Sequence, residues 1–199
     1  MGSLFNLEKQ MEAYAPYHMN KINQWIHIVC VPIILWTALV WVAGAVGPLV
    51  PGLDLSFGHL PCGPFVVNGA FLVITVYAAF YVILEPVAGS LYLPILYGLA
   101  YTATHYAQTA ANPHTTALAI HVVCWILQFL GHGLAEKRAP ALLDSFVQSL
   151  VLAPMFVWLE VLFMLGYKPE LHKRIVNSAS RNILAFRKAQ QAKTATKTK

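Results

Sequence analysis

The sequence carries little charge. Asp, Glu, Lys and Arg make up 11% of its 199 residues, whereas a soluble domain carries about 25%. Hydrophobic residues make up 58% and aromatic residues 12%, which is more than a disordered chain contains. This composition excludes an ordinary soluble domain and a disordered chain, and it indicates an integral membrane protein.

Cysteine is also scarce. The three cysteines, Cys30, Cys62 and Cys124, form no CxxC pair. An odd number at wide spacing argues against a disulfide framework and against a cysteine-based zinc site. We therefore interpret them as small apolar side chains.

Charge is missing from three long stretches, 22–53, 55–84 and 86–135. A helix needs about 20 apolar residues to cross a bilayer, and continuous apolar runs favour helices over a barrel. We predict an all-α integral membrane protein with four transmembrane helices, at about 28–50, 65–84, 87–104 and 117–134.

An interfacial helix is predicted before the first span. Leu4, Leu7, Met11 and Tyr14 recur at helical spacing among charged residues. This pattern is typical of an amphipathic helix at the membrane surface, and Pro16 is expected to end it.

A fifth apolar segment, 146–167, precedes a basic tail. The tail, 168–199, has nine Lys or Arg and one acid, whereas the predicted loops 51–64 and 105–116 contain no Lys or Arg. If the fifth segment re-enters by bending near Pro154, all thirteen basic residues share one side, which the positive-inside rule makes cytosolic. The alternative is a straight fifth crossing.

These patterns divide the chain into one helical membrane domain, 1–167, and a basic cytosolic tail, 168–199. Both termini are then cytosolic. A basic tail beside membrane spans favours contact with anionic membrane lipids, or a role in topology, over nucleic-acid binding.

Two of the eight histidines flank the entry to the first span. On one continuous helix, His18 and His27 would point to opposite faces about 13.5 Å apart. Pro16 and a cap at Asn20 instead predict that the helix begins near Lys21, so His18 can fold back from a turn.

Two asparagines share a helix face with His27. Asn20 and Asn23 precede it by seven and four residues. Both are therefore expected to orient its ring through hydrogen bonds.

A polar stripe lies along the fourth span. His121, Trp125, Gln128 and His132 fall at i, i+4, i+7 and i+11. His121 and His132 lie about 16.5 Å apart along such a helix, so both cannot bind one ion. His121 falls near the far side of the membrane, where packing is the favoured role.

Four crossings bring the start of the first span and the end of the fourth to the same side. His18, His27, His132 and Glu136 can therefore converge there. Histidines with a carboxylate and open positions are typical of non-haem Fe(II) oxygenases, and a polar stripe within a span marks a functional site. Structural packing of histidine and glutamine between helices remains the alternative.

Three runs of residues resemble the Mpo1-like family. They extend from Tyr17 through His27 to Pro32, from Trp125 through His132 to Leu142, and from Gln148 to Pro154. The resemblance implies an endoplasmic-reticulum membrane dioxygenase that uses Fe(II) and O₂ to shorten long-chain 2-hydroxy fatty acids by one carbon. In fungi this step belongs to phytosphingosine degradation.

The resemblance also implies site residues. His18, His27 and His132 hold the iron, and His121 is a further candidate ligand. Glu136 or Gln128 then positions a ligand, water or substrate.

Substrate contacts follow from the same hypothesis. Lys137 and Arg138 are expected to pair with the substrate carboxylate, and Trp36, Trp125 and Phe129 to line the acyl chain. Two rival hypotheses remain: a non-enzymatic membrane scaffold that binds lipid, and a haem or copper redox protein.

Overall fold

The computed structural model describes residues 5–49, 54–55, 63–136 and 148–197. Helices dominate these residues, as predicted, beside one antiparallel pair of two-residue strands. The α-helices are α1 (Leu7–Tyr14), α2 (Lys21–Ala45), α3 (Gly69–Leu84), α4 (Pro86–Thr109), α5 (Pro113–Leu130), α6 (Ala153–Met164) and α7 (Pro169–Lys197), and the strands are β1 (Asp54–Leu55) and β2 (Phe65–Val66). A 3₁₀ turn, Ala15–Tyr17, and two π-helical turns, Gly131–Glu136 and Gln148–Leu152, complete the regular structure.

Polar caps fix the helix starts. The Asn20 side chain accepts a hydrogen bond from the Ile22 N–H, so α2 begins at Lys21 as predicted. The Asn68 side chain caps α3 in the same way. The helix expected from residue 65 therefore starts later, because Phe65–Val66 pairs with Asp54–Leu55 as strands.

The number of crossings differs from the prediction. Among the described residues, two helices, Lys21–Ala45 and Pro113–Glu136, are long and apolar enough to cross a membrane. A third crossing exists if the bent pair Leu150–Met164 and Pro169–Ala189 forms one broken span. Helix α3 has 16 residues and is about 24 Å long, which is less than the thickness of the hydrocarbon core of a bilayer. The structure fits a membrane protein, and the count of four stays a prediction.

The bend predicted at Pro154 is wrong. Pro154 lies in the first turn of α6, where its missing N–H leaves no helical hydrogen bond unmade. The sharp bend, 116°, comes after Met164. Gly166 follows with a φ of 87°, a conformation that glycine adopts without strain. That this segment re-enters the membrane, with a straight crossing as the alternative, stays a prediction.

The first half of the basic tail packs on the N-terminal helix. Arg174 donates hydrogen bonds to both carboxylate oxygens of Glu8, at 2.7 and 3.2 Å. Ile175, the next residue of α7, and Ala179, about one turn after it, are buried. The domain boundary at 168 stays a prediction, but this part of the tail contacts the membrane domain.

Glu85 joins the α3–α4 turn to the bend. Its carboxylate caps α4 at the Ala88 N–H and accepts hydrogen bonds from Tyr167 Oη, at 2.8 Å, and Lys168 Nζ, at 2.7 Å. Burial opposes its ionisation, but the hydrogen bonds from Lys168, Ala88 and Tyr167 outweigh burial and lower its pKa below the ordinary value.

Helix α2 lies at the centre and packs against α3, α4, α5 and α6. Cys30 of α2 and Cys124 of α5 are buried free thiols in contact with each other, in agreement with their interpretation as small buried side chains. Cys62 lies outside the described residues. The pairing of α2 with α5 brings the predicted site residues together.

Candidate metal centre

Three imidazoles converge where α2 begins and α5 ends. One ring nitrogen from each of His18, His27 and His132 lies within 4.8 Å of the other two. The ring centroids are 4.5 to 4.9 Å apart, and all three side chains are buried. The predicted convergence of these histidines is confirmed.

A break in the helix brings His18 into this cluster. The 3₁₀ turn around Pro16 ends the N-terminal helix, and the cap at Asn20 starts the next one, so His18 folds back as predicted. Its Nδ1 pairs with the Tyr14 carbonyl at 3.2 Å. The Tyr14 ring stacks on its imidazole with centroids 3.8 Å apart.

Backbone carbonyls orient two of the three rings. Nδ1 of His27 lies 2.9 Å from the carbonyl of Asn23, as Nδ1 of His18 lies beside that of Tyr14. A carbonyl only accepts, so both Nδ1 atoms carry the proton and donate. The lone pair then lies on Nε2 of each ring, which is how metal-binding histidines are commonly held.

Two ring nitrogens of the cluster are buried without a hydrogen-bond partner in the described part of the chain, Nε2 of His18 and Nδ1 of His132. Burial, and then the adjacent imidazoles of His27 and His132, lower the pKa of His18 well below its usual range. A buried polar atom left unpaired costs about 1–3 kcal/mol, and a neutral imidazole is a metal ligand.

The donor set therefore fits a metal ion. Three imidazoles suit iron, zinc or copper and leave coordination positions open for a substrate. Metal–imidazole bonds are about 2.0–2.1 Å for zinc, so nitrogens up to 4.8 Å apart must move closer together to share one ion.

Glu136 contacts the start of α2. Its Oε1 accepts hydrogen bonds from the Asn20 N–H at 2.7 Å and from Asn23 Nδ2 at 3.5 Å. Asn20 Nδ2 donates to the Ala135 carbonyl at 3.3 Å. The metal-binding group found among the described residues consists of the three histidines alone. The role of Glu136 in positioning a ligand or substrate stays a prediction.

The two asparagines act differently from expectation. Asn23 holds His27 through its backbone carbonyl, while its side chain donates to the Tyr17 carbonyl at 3.0 Å. The Asn20 side chain caps α2 at the Ile22 N–H. A Cβ at Gly131 would lie 2.5 Å from Asn23 Oδ1, so glycine there permits the close approach of α5 to α2.

A cavity of about 280 Å³ opens from the histidine cluster. The predicted stripe lines one wall through His121, Trp125, Gln128 and His132, and Phe129 joins it. Gln128 is buried, and its Nε2 has no partner within the described residues. The opposite wall comes from α2 and is apolar, formed by Val31, Ile34, Leu35, Ala38, Leu39 and Val42.

Trp36 is not part of this cavity lining, and its contact with the acyl chain stays a prediction. Its indole donates to Thr102 Oγ1 at 3.1 Å, and its ring packs on Tyr106. Trp36 follows His27 by nine residues, which on one helix places its side chain on the opposite face.

His121 is engaged at both ring nitrogens. The Trp125 indole donates to Nε2 at 2.9 Å, so Nδ1 carries the proton and donates to Thr37 Oγ1 at 2.8 Å. Thr37 in turn donates to the Ile34 carbonyl at 2.9 Å. His121 lies apart from the three-histidine group, which favours packing over ligation.

Some predicted residues lie outside the described part of the chain, namely Lys137, Arg138 and Leu4. The contacts of two other buried residues, Tyr14 and Glu160, were not predicted from the sequence. Tyr14 was assigned only to an interfacial helix, although its position four residues before His18 allowed the stacking. Glu160 is buried, and its Oε2 has no partner within the described residues; its signal in the sequence is a lone acid within an apolar run.

The model of one protein family, described as "2-hydroxy-palmitic acid dioxygenase Mpo1-like", matches residues 4–165. The chain belongs to the Mpo1-like family. It is also 33% identical over 173 residues to the 2-hydroxy-palmitic acid dioxygenase MPO1 of Saccharomyces cerevisiae (strain ATCC 204508 / S288c), covering 84% of this chain and 86% of that protein. No solved structure matches the chain. The family match includes the three clustered histidines and ends before α7.

Proposed function

We propose that this Mpo1-like chain is a non-haem Fe(II) dioxygenase that converts a long-chain 2-hydroxy fatty acid into the fatty acid one carbon shorter. One observation carries the proposal: the buried cluster of His18, His27 and His132 opens directly into an apolar cavity. The name of the yeast relative supports the choice of substrate and reaction.

The cavity suits an acyl chain with one polar end. The polar end belongs at the histidine cluster, and the hydrocarbon belongs along the apolar wall of α2. His18, His27 and His132 would hold the iron, which would supply Lewis-acid and O₂ chemistry beside the hydroxyl and carboxylate of the substrate.

Gln128 is the side chain placed to orient the substrate. It is one helical turn before His132, it lines the cavity, and its Nε2 lacks a partner within the described residues. We assign that amide N–H to the free carboxylate oxygen of the substrate. Burial of the histidines excludes bulk water from the reacting carbon atoms.

The reaction balances without an added reductant. The C1–C2 bond breaks, C2 becomes the new carboxyl carbon, and C1 leaves as carbon dioxide. One 2-hydroxy acid and one O₂ then give one shorter acid, one carbon dioxide and one water. The four electrons that O₂ accepts all come from the substrate, so 2-oxoglutarate is not required.

The cellular setting is part of the proposal. We place the chain in the endoplasmic-reticulum membrane with several crossings and both termini in the cytosol, in phytosphingosine degradation. The net charge of +5 is concentrated in the C-terminal tail, which supports contact of that tail with anionic membrane lipids on the cytosolic side.

A product assay tests the activity. Purified full-length protein loaded with Fe(II) is incubated in detergent with O₂ and 2-hydroxypalmitic acid carrying ¹³C at C1. We expect pentadecanoic acid and labelled carbon dioxide in equal amounts, and no product from palmitic acid. Absence of the shorter acid from protein that holds one iron per chain would refute the proposal, and a chain that binds no stoichiometric metal would favour the scaffold.

A further inference from the structure

The cavity follows one face of α2. His27, Val31, Ala38 and Val42 line it at helical spacing. From His27 to Val42 the helix rises about 22 Å, more than half of a hydrocarbon core that is roughly 30 Å thick. The cavity is therefore a long channel that begins at the histidines.

Two polar side chains that line this channel, His121 and Trp125, have their ring nitrogens satisfied. With Thr37 behind them they form a chain of hydrogen bonds that ends on the Ile34 carbonyl. Both nitrogens of His121 are used, so this network presents no free ring nitrogen to a ligand. Beyond the histidine cluster the channel suits hydrocarbon.

We infer that this face of α2 determines the acyl-chain length of the substrate, with Ala38 and Val42 setting the upper limit. The inference rests on the proposed function, because it takes the carboxyl end to lie at the histidine cluster. An extended chain advances about 1.2 Å per bond, so a chain reaching Val42 has about 18 carbons. A chain reaching Ala38, about 16.5 Å from His27, has about 14.

Ala38 permits the longer chains because its side chain is small. Each buried methylene strengthens binding about fourfold. Affinity is therefore expected to rise about fourfold per carbon up to about 18 carbons and then to stop rising. A large side chain at position 38 should therefore abolish the gain in affinity for the last four carbons.

The test compares three variants with the native chain on 2-hydroxy acids of 12 to 20 carbons. Ala38→Phe should lower kcat/KM for the 16- and 18-carbon acids at least tenfold relative to the 12-carbon acid. Val42→Ala should raise kcat/KM for the 20-carbon acid about fourfold relative to kcat/KM for the 16-carbon acid. Ala119→Phe makes the same substitution at an exposed position outside the cavity lining and should leave the profile unchanged.

Binding without O₂ gives a second readout that needs no turnover. The same acids displace a fluorescent fatty acid from the detergent-solubilised full-length protein, and each value is taken relative to Ala119→Phe. We expect the affinity plateau to move from about 18 carbons to about 14 in Ala38→Phe. A misfolded variant would not gain affinity for longer acids. A gain for longer acids in Val42→Ala therefore distinguishes a change in channel length from misfolding.

The two proposals fail in different ways. Equal loss at every chain length in Ala38→Phe, together with an unchanged profile in Val42→Ala, overturns the role of α2 even when the native chain is active. If the native chain binds these acids with the expected length limit but turns none over, the dioxygenase proposal fails and the inference about length stands.

Discussion

The carboxylate of Glu136 accepts a hydrogen bond from the backbone N–H of Asn20 at 2.7 Å, although the two residues are 116 positions apart. This bond joins the π-helical turn that carries His132 to the first residues of the helix that carries His27. Two parts of the candidate metal centre that lie far apart in the sequence are thereby held next to each other.

Glu136→Ala should lower the free energy of unfolding by about 1–3 kcal/mol, because the Asn20 N–H loses a charged acceptor. Glu136→Gln keeps an acceptor oxygen at the same place and should keep both stability and metal content. Thermal unfolding and elemental analysis of the purified variants measure the two effects. Loss of iron in a stably folded Glu136→Gln protein would show that Glu136 is itself a ligand.

His18→Ala, His27→Ala and His132→Ala should each weaken metal binding at least tenfold, since the loss even of groups that support a ligand costs about 10–100-fold. Metal titration and elemental analysis measure this. The matched control is His172→Ala, which removes a ring that stacks on Phe163. Metal retained by one of the first three variants would remove that histidine from the ligand set.

His121→Phe should keep the metal and lose stability. The substitution leaves the half-buried Trp125 indole without its acceptor and removes the donor to Thr37 Oγ1, which keeps its bond to the Ile34 carbonyl, at about 1–3 kcal/mol in all. Circular dichroism during heating detects the destabilisation, and elemental analysis follows the metal. Normal stability with loss of metal would instead make His121 a ligand.

The hydrogen bonds at Glu85 predict a dependence of stability on pH. Its folded pKa lies below the ordinary value of 4.5, so its contribution is present above that pH and is lost as the pH falls through the folded value. Glu85→Gln should therefore lower stability by about 1–3 kcal/mol at neutral pH, because the ion pair with Lys168 is lost.

The difference between Glu85→Gln and the native chain should shrink near pH 4. Thermal unfolding at both pH values measures it, and Glu170→Gln, at an exposed acid, provides the matched control. A difference that stays constant down to pH 4 would mean that the charge of Glu85 does not contribute.

Local signals predicted the parts of the site that depend on neighbouring residues. Pro16 and Asn20 were enough to place His18 in a turn and the start of α2 at Lys21. The spacing of His121, Trp125, Gln128 and His132 was enough to place all four on one face, and that face lines the cavity. Helical geometry converts such spacings directly into positions.

Contacts between distant segments were beyond the sequence pattern. The bond from Asn20 to Glu136 and the salt bridge from Arg174 to Glu8 depend on packing that no spacing encodes. Because proline breaks helices, the sequence predicts a bend at Pro154. A proline in the first turn is compatible with a helix, however, and the chain bends near Gly166 instead.

The packing of α7 on α1 affects how the basic tail can be studied. Arg174 bonds Glu8 on α1, and the same helix carries Tyr14, which stacks on His18. Deletion of the tail would therefore disturb a candidate metal ligand as well as remove charge. Substitution of exposed tail residues such as Arg181 and Arg187 removes positive charge and leaves the packing of α7 on α1 intact. Such variants therefore separate the attraction of the tail to lipid from its structural effect on the candidate metal centre.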